Sequence, residues 1–164
     1  TPDNGENLLI RSKDVYDGAI PSGNSVSAYN FIRLSRILSK PQYEDITFNI
    51  FSTFSQQINR SSSGQSMMLQ AIDFANGPSY EILISGDKKS KGMIDLINNI
   101  HQLFEPNSII MIVDPEDKEL FEYLPHLKNY PANNDKEPLV YVCENYACKL
   151  PTSDINVVKK LLNN

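Results

Sequence analysis

The hydrophobic period of the chain changes once, at the Asn-Gly-Pro sequence of residues 76–78. Upstream of it, apolar residues recur with helical spacing, and Asn-Gly-Pro is a typical helix stop. Downstream of it, short apolar runs predict β-strands that alternate with helices. The predicted upstream helices cover 25–38, 43–58 and 65–75. The predicted strands cover 80–85, 108–113 and 139–143.

This pattern predicts a mixed α/β fold. An N-terminal helical hairpin and a third helix fall in residues 1–76, and a small three-stranded, mainly parallel α/β layer falls in residues 77–164. The parallel arrangement is expected because strands that alternate with helices are usually joined by right-handed crossovers. Residues 1–13 are predicted to form coil or a poorly formed strand.

Three finer predictions concern the second half of the chain. Strand 108–113 is almost entirely apolar, so we expect cover on both of its faces. Phe104 continues the apolar face of the helix that precedes this strand. Asp114 is predicted to cap a helix with Pro115 at its first position, so the acidic residues that follow indicate a helix start rather than a cation site.

Composition limits the partners of the chain. Its 164 residues include 15 Lys and Arg against 20 Asp and Glu, whereas a nucleic-acid surface requires a basic stripe. No apolar run reaches the roughly 18 residues of a membrane span. We therefore expect neither nucleic acid nor a membrane as a partner. Two cysteines do not form the dense disulfide framework of a small secreted domain, so a cytoplasmic location is expected.

The first candidate site is the segment of residues 14–26, with the sequence DVYDGAIPSGNSV. Its glycines and proline bend the backbone, and its Ser and Asn residues are placed to cap the next helix. A helix start presents unpaired amides and a positive dipole end, so the segment predicts a polar ligand site. The alternative is an elaborate N-cap without a ligand. The ligand-binding candidates are Asp17, Ser22, Asn24 and Ser25, and Asp17 is also the catalytic candidate because it is the obvious carboxylate.

The second candidate site is the redox candidate pair Cys143 and Cys148. The spacing of this pair matches neither a thioredoxin-type C-x-x-C motif nor a zinc knuckle, and no second pair completes a metal site. A reversible disulfide and two buried, inert thiols both remain open. Cys143 ends an apolar run and Cys148 falls in a predicted loop, so we expect both thiols to be reduced, with Cys143 in the core.

No cofactor and no metal are predicted. None of the predicted strands is followed by a glycine-rich phosphate loop, and the nearest approach, at residues 85–87, lacks the glycines. The two histidines, His101 and His126, fall in helical stretches where a surface or core role is expected.

Three blocks of the sequence carry a resemblance to a known family. They are DVYDGAIPSGNSVSAYNFIRLSRI, SMMLQAIDFANGPSYEILISG and YVCENYACKLPT. In this order and at this approximate spacing they resemble the C-terminal part of the spermatogenesis-associated thioredoxin-domain proteins, whose bacterial members are YyaL-like. The resemblance covers about residues 8–162, and over 87–137 it is one of pattern only.

The resemblance implies a longer protein, with an N-terminal thioredoxin-like domain outside this chain. A helical toroid similar to N-acylglucosamine 2-epimerases and six-hairpin glycosidases would follow that domain. Residues 25–75 would be the last part of the toroid, and the segment 17–25 would lie at its mouth, where related toroids bind sugars. The redox motif of the family has no counterpart here, so the two cysteines are not that motif. The chain also begins with Thr and continues into polar coil, which fits a fragment.

Two function classes follow from these observations. In the first, the chain supplies part of a carbohydrate-binding or sugar-active toroid. In the second, it is a redox-linked or protein-interaction module that uses Cys143 and Cys148. The fragment alone is not expected to catalyse a reaction, while the full-length protein is expected to be epimerase-like or glycosidase-like. The expected partners are a sugar or polyol, the missing N-terminal part of the same polypeptide, and further copies that bind through exposed helix faces.

Overall fold

The structure is a computed structural model that describes residues 13–133 and 137–162. The coil or strand predicted for residues 1–13 therefore lies outside the described residues, except for its last position. The described helices are α1 (Gly23–Leu38), α2 (Gln42–Arg60), α3 (Ser66–Asn76), α4 (Lys91–His101), α5 (Lys118–Tyr123) and α6 (Ile155–Leu162), with 3-10 helices at Ser62–Gly64 and Pro125–Asn129. The described strands are β1 (Tyr80–Ser85), β2 (Ser108–Val113), β3 (Leu139–Glu144) and β4 (Ala147–Cys148).

The three predicted N-terminal helices are confirmed, each to within two residues at either end. Helix α1 packs against both α2 and α3, and its buried residue Ala28 belongs to the same apolar core as Ala71 of α3. Larger side chains, among them Phe54 and Met68, fill the space between the three helices. Among the helices described, none combines the length and apolar character that a bilayer crossing requires.

The sheet is mixed, and its strand order is β2-β1-β3-β4. Strands β1 and β2 are parallel, whereas β3 runs antiparallel to β1 on its other side. A short hairpin adds β4 to the edge of the sheet. The prediction of a three-stranded, mainly parallel layer is therefore wrong in strand number and direction.

The direction of β3 follows from the connection that precedes it. A parallel crossover needs a helix that carries the chain back along the full strand length, about 20 Å for six residues. Helix α5 has only six residues, or about 9 Å, and a 3-10 helix follows it. The chain thus stays near the end where β2 finishes, and β3 starts there, with Leu139 opposite Ser85, the last residue of β1.

Three finer predictions also differ from the structure. Strand β2 lies at the edge of the sheet, so Ile112 is 42% exposed instead of covered on both faces. Helix α4 ends at His101, which leaves Phe104 beyond the apolar face it was expected to continue. Helix α5 begins after Asp117, whose side chain accepts a hydrogen bond from the Leu120 amide, and not after Asp114.

The two faces of the sheet have different cover. On one face Ile82, Ile84 and Val140 pack against helices α4 and α6, and these residues form the main core of the α/β part. On the other face Leu83, Tyr141 and Cys143 pack against the 3-10 helix that contains Leu127. The alternation along each strand produces this division, because successive side chains point to opposite faces.

Helices α1 and α3 join the sheet at β2. Ile32 and Phe74 form an apolar cluster with Ile109, and Arg33 Nη1 donates a hydrogen bond of 3.2 Å to the Ser108 carbonyl. The division into residues 1–76 and 77–164 stays a prediction.

Candidate functional site

Asp17 lies inside the protein, at 7% exposure, and binds main-chain amides from two directions. Its Oδ1 accepts a hydrogen bond of 2.8 Å from the Ser22 amide. Its Oδ2 accepts bonds of 2.9 and 3.0 Å from the amides of Met67 and Met68, in the first turn of α3. Asp17 thereby ties the loop before α1 to the start of α3.

The other three ligand-binding candidates belong to the same network. Ser22 is the N-cap of α1, and its Oγ accepts a hydrogen bond of 3.1 Å from the Ser25 amide and lies 2.8 Å from Ser25 Oγ. Asn24 Nδ2 donates a bond of 2.6 Å to the Asp14 carbonyl. The structure thus brings the four candidates together, but these contacts are internal, as the N-cap alternative expects. Their ligand role stays a prediction.

Burial and hydrogen bonding act in opposite directions on Asp17. Burial by itself raises the pKa of the carboxyl, but the hydrogen bonds from the main-chain amides of Ser22, Met68 and Met67 and from the Ser25 side chain outweigh it. The pKa of Asp17 is therefore lowered, and the ionised form is the one that the folded loop stabilises.

Tyr16 is an exposed aromatic residue of this loop, and the sequence reasoning missed it. The ring is 64% exposed and lies between two glycines. A Cβ at Gly18 would fall 2.8 Å from Tyr16 Cε1, and a Cβ at Gly64 would fall 3.1 Å from the other ring edge. The structure buries its neighbours Val15 and Asp17 on either side of it, which the sequence does not reveal.

Cys143 and Cys148 are joined by a disulfide, with their Cα atoms 3.8 Å apart. The expectation that both thiols are reduced is therefore wrong, while the placement of Cys143 in the core is confirmed. Cys148 lies in the exposed strand β4 and not in a loop. Two residues of each strand and a two-residue turn place the cysteines directly opposite each other, which spacing alone does not reveal.

The turn of this hairpin has an uncommon backbone that tertiary contacts hold. Asn145 and Tyr146 both have positive φ, 50° and 62°, as a two-residue I′ turn requires. A bulky residue rarely adopts this conformation. The Tyr146 ring covers the Arg36 guanidinium at 4.3 Å, and its hydroxyl donates a bond of 3.0 Å to Glu44 Oε2.

A cavity of about 170 Å³ lies beside the disulfide. It separates the sheet from the end of α1 and from the 3-10 helix Pro125–Asn129. Within the described part of the chain, three of its buried nitrogen atoms have no hydrogen-bond partner, namely Nε and Nη1 of Arg36 and Nε2 of His126. The polar residues that line it are Arg36, Glu81, His126, Asn129, Tyr130 and Tyr146.

The charges around this cavity are weakly paired. Arg36 Nε lies 3.7 Å from Glu81 Oε1, and Arg36 Nη2 lies 3.8 Å from Glu44 Oε1. Burial raises the pKa of the Glu81 carboxyl, and Arg36 opposes this shift without cancelling it. Burial lowers the pKa of His126, against a hydrogen bond with the Ile37 backbone.

The two candidate sites lie at opposite ends of α1. Ser22 caps its start, and Arg36 stands near its end, so fourteen residues, or about 21 Å of helix, separate them. The cysteine hairpin therefore packs away from the loop of residues 14–26. The lone acidic residue in the apolar strand YEILIS was the signal for Glu81, but nothing in the sequence joined it to the cysteines.

A larger cavity, of about 1110 Å³, opens at the carboxyl ends of β1 and β2. Open α/β sheets commonly bind ligands at such ends. Three of its charged residues pair with each other, since Lys88 Nζ lies 3.4 Å from Asp117 Oδ2 and 4.0 Å from Asp114 Oδ2. Over residues 13–133 and 137–162, no group of three His, Cys, Asp or Glu side chains is placed to hold a metal ion.

Comparison with known proteins identifies relatives of the chain. Over 160 residues it is 32% identical to spermatogenesis-associated protein 20 of Homo sapiens and of Rattus norvegicus, and the aligned part is 97% of this chain and 20% of each relative. The chain is therefore similar to part of spermatogenesis-associated protein 20 over nearly its whole length. An uncharacterised protein of Caenorhabditis elegans is 27% identical over 158 residues, which are 96% of this chain and 21% of that relative.

The resemblance to the spermatogenesis-associated family is confirmed by these relatives. The chain spans about a fifth of the length of spermatogenesis-associated protein 20, so what it matches is one part of that larger relative. The thioredoxin-like domain and the toroid stay predictions. No family model and no solved structure match the chain.

Replacing Asp17 tests the network at the start of α1. In Asp17→Asn a side-chain NH2 replaces one of the two carboxylate oxygens that accept three hydrogen bonds from main-chain N–H groups. We therefore expect a loss of about 1–3 kcal/mol in the free energy of unfolding at neutral pH. Because the folded pKa of Asp17 is lowered, its stabilisation is present above the unfolded pKa and is lost as the pH falls through the folded pKa. Denaturant unfolding at several pH values measures both effects.

Asp14→Asn is the matched control for this variant. Asp14 lies in the same loop but is exposed, and its side chain accepts one bond, from the Tyr16 amide, which an Asn side chain can keep. We expect a change below about 0.5 kcal/mol, as for other surface substitutions. Equal stability losses in the two variants would contradict the role given to Asp17.

Proposed function

We propose that the chain carries a dithiol–disulfide centre at the β3–β4 hairpin, which exchanges with thiols of a dithiol partner. The observation that carries this proposal is the disulfide between a buried and an exposed strand position, Cys143 and Cys148. An attacking thiolate needs access to one sulfur, and Cys148 lies in the exposed strand. Beside the disulfide, Arg36 and His126 also have buried nitrogen atoms without a hydrogen-bond partner among the described residues, so polar groups stand available at this cavity.

The exchange balances as follows. A partner thiolate attacks Cys148 Sγ, the intramolecular S–S bond breaks, and Cys143 Sγ leaves with the electron pair and takes up a proton. The second partner thiol, as its thiolate, then attacks the mixed disulfide and releases the Cys148 thiolate, which is protonated by water. The partner dithiol is oxidised to a disulfide, and the protein is reduced to two thiols.

A second proposal keeps the carbohydrate role. Helices α1 to α3 would close a helical toroid in the larger protein, and the loop of residues 14–26 would form part of one sugar-binding wall. The exposed Tyr16 ring supports it, since aromatic rings offer a flat apolar face with a polar edge. Asp17, Ser22 and Ser25 would then hold this loop in shape, with the half-buried Asn24 as the more accessible polar group.

Catalysis in this second proposal belongs to the larger protein. Asp17 has its carboxylate oxygens on three amides, so it is poorly placed as an acid or base for a sugar. An epimerase-like or glycosidase-like activity would draw its acid and base from parts of the polypeptide outside this chain.

A third proposal concerns partners. Helix residues Ile46, Phe48 and Leu69 are 38%, 46% and 37% exposed, and the chain spans a fifth of the relatives. We propose that the remaining polypeptide covers these residues. In the isolated chain they would favour self-association instead.

Equilibration in glutathione buffers tests the redox proposal. We expect the oxidised and reduced forms to interconvert with a midpoint above about −300 mV, because disulfides with a purely structural role generally lie below that value. Quantification of free thiols by alkylation and mass spectrometry gives the midpoint. Cys148→Ser is the control and should show no exchangeable pair. A disulfide that stays oxidised in every buffer would refute the redox function.

Sugar titration followed by NMR tests the carbohydrate proposal. Neutral sugars should shift resonances of Tyr16 and residues 22–26 weakly in this chain and more strongly in the longer protein. Tyr16→Ala should abolish the shifts, whereas Tyr123→Ala, which removes another exposed ring far along the chain, should not. Unchanged spectra with every sugar in both proteins would count against the toroid wall.

Light scattering over a range of concentrations tests the covering of the helices. We expect the isolated chain to self-associate, and Phe48→Ser to weaken this association. Phe104→Ser removes a phenyl ring that is 93% exposed in the α/β part and should leave it unchanged. A monomer at every concentration would rule out association through the helix faces.

A further inference from the structure

A buried carboxylate stands next to the disulfide in the sheet. In the pairing of β1 with β3, Glu81 lies opposite Cys143, and in the pairing of β3 with β4, Cys143 lies opposite Cys148. Residues directly opposite each other project from the same face, with Cβ atoms about 4.5–5.5 Å apart. Glu81, Cys143 and Cys148 therefore form one row across three strands, and all three line the cavity of about 170 Å³.

The environment of Glu81 is unusual for a strand residue. Glu81 is 7% exposed in a strand whose other five residues are apolar or small, and burying a carboxylate reduces stability unless it is well paired. Its ion pair with Arg36 has a distance of 3.7 Å, which is longer than a hydrogen bond. Burial also raises the pKa of this carboxyl, which lets it hold a proton closer to neutral pH.

We infer that Glu81 donates a proton to the Cys143 sulfur when the disulfide is reduced and takes it back on oxidation. This inference rests on the exchange proposed above and adds the group that handles its buried proton. Cys143 is buried, and a thiolate that forms away from solvent is destabilised unless it is protonated at once. Glu81 is its neighbour in the row, and the cavity is large enough for a water to relay the proton, since one water needs about 10–15 Å³.

The step conserves atoms and electrons. The attacking thiolate binds Cys148 Sγ, the S–S electron pair moves to Cys143 Sγ, and the proton of Glu81 passes to that sulfur. Glu81 is left as a carboxylate beside Arg36, whose charge stabilises it, and it regains a proton from solvent through the cavity. On oxidation the same carboxylate removes the Cys143 proton before the thiolate attacks.

Several other ionisable groups face Glu81 and bear on its pH dependence. Arg36 of α1 keeps its charge throughout the neutral range. The pKa of His126 is lowered by burial, and those of Tyr130, Tyr141 and Tyr146 are raised by burial, so the tyrosines titrate above the working range. Glu44 of α2 faces Arg36 from the other side.

The test measures reduction of the disulfide by excess dithiothreitol between about pH 5 and pH 9. Each rate constant is divided by the thiolate fraction of the reductant. In the parent protein this normalised rate should fall as the pH rises through the pKa of Glu81. Glu81→Gln should lose this fall in rate with pH and should be reduced about tenfold more slowly at low pH. This effect is smaller than the 10²–10⁴-fold enhancement typical of general acid catalysis, because a thiolate is a fair leaving group even without a proton. Glu81→Asp should keep the step.

Two control variants separate the proton transfer from general electrostatics. Glu44→Gln also removes a carboxylate near Arg36, at 3.8 Å, but outside the row, and it should keep the step. His126→Gln should keep it as well. An unchanged profile in Glu81→Gln, or the same loss in Glu44→Gln, would overturn the assignment. Circular dichroism establishes that each variant is folded.

A second measurement works without substitution of Glu81. The carboxyl carbon of Glu81 is followed by NMR through a pH titration of the disulfide and dithiol forms. The chemical shift of this carbon should change in one titration step in the disulfide form and in two steps in the dithiol form, because the thiol of Cys143 and the carboxyl of Glu81 titrate as a coupled pair. One step in both forms would refute the inference.

This inference and the redox proposal can fail separately. Excess dithiothreitol reduces the disulfide whatever the natural partner is. If the dithiothreitol rate depends on Glu81 but the disulfide stays oxidised in every glutathione buffer, Glu81 is still the proton donor and the redox function is excluded. If the disulfide is reversible in glutathione but Glu81→Gln does not change the pH profile of the reduction rate, the redox function stands and Glu81 is excluded as the proton donor.

Discussion

The buried guanidinium of Arg36 connects the parts of this protein. It lies near the end of α1 and approaches Glu44 of α2, Glu81 of β1 and the Tyr146 ring of the β3–β4 turn. A buried cation without partners is costly, so these contacts together lower the cost of burying Arg36. The helices, the sheet and the cysteine hairpin thus share one electrostatic centre, which fixes where the disulfide stands relative to α1.

The polar side chains at the two ends of α1 differ in their hydrogen bonding. At the start of the helix, Asp17 and Ser22 have their oxygens on main-chain amides, and this satisfied network shapes a loop. At the end, Arg36 and His126 keep buried nitrogen atoms without hydrogen-bond partners among the described residues, beside the disulfide. Satisfied polar groups stabilise a fold, whereas unsatisfied ones call for an explanation, and the exchange proposed for the disulfide would supply one.

Local pattern was sufficient for most elements but not for their arrangement. The helices around Ala28, Phe54 and Phe74 and the strands around Ile82 and Ile110 follow from hydrophobic period and turn residues, which act over a few positions. The direction of β3 depends on how far a short α5 carries the chain, and the exposure of Ile112 depends on strand order. The hydrophobic period of a segment encodes neither the direction of a strand nor its position in the sheet.

The sequence by itself determined the types of the main helices and strands, a cap among Ser22, Asn24 and Ser25, the burial of Cys143 and the family resemblance, because each depends on residues close in sequence or on direct similarity. Only the tertiary structure decided that Cys143 meets Cys148 across a hairpin and that Glu81 lies beside them. Glu81 and Cys143 are 62 positions apart, and their meeting is set by strand register. Register results from the packing of the whole sheet against its helices, which no single segment specifies.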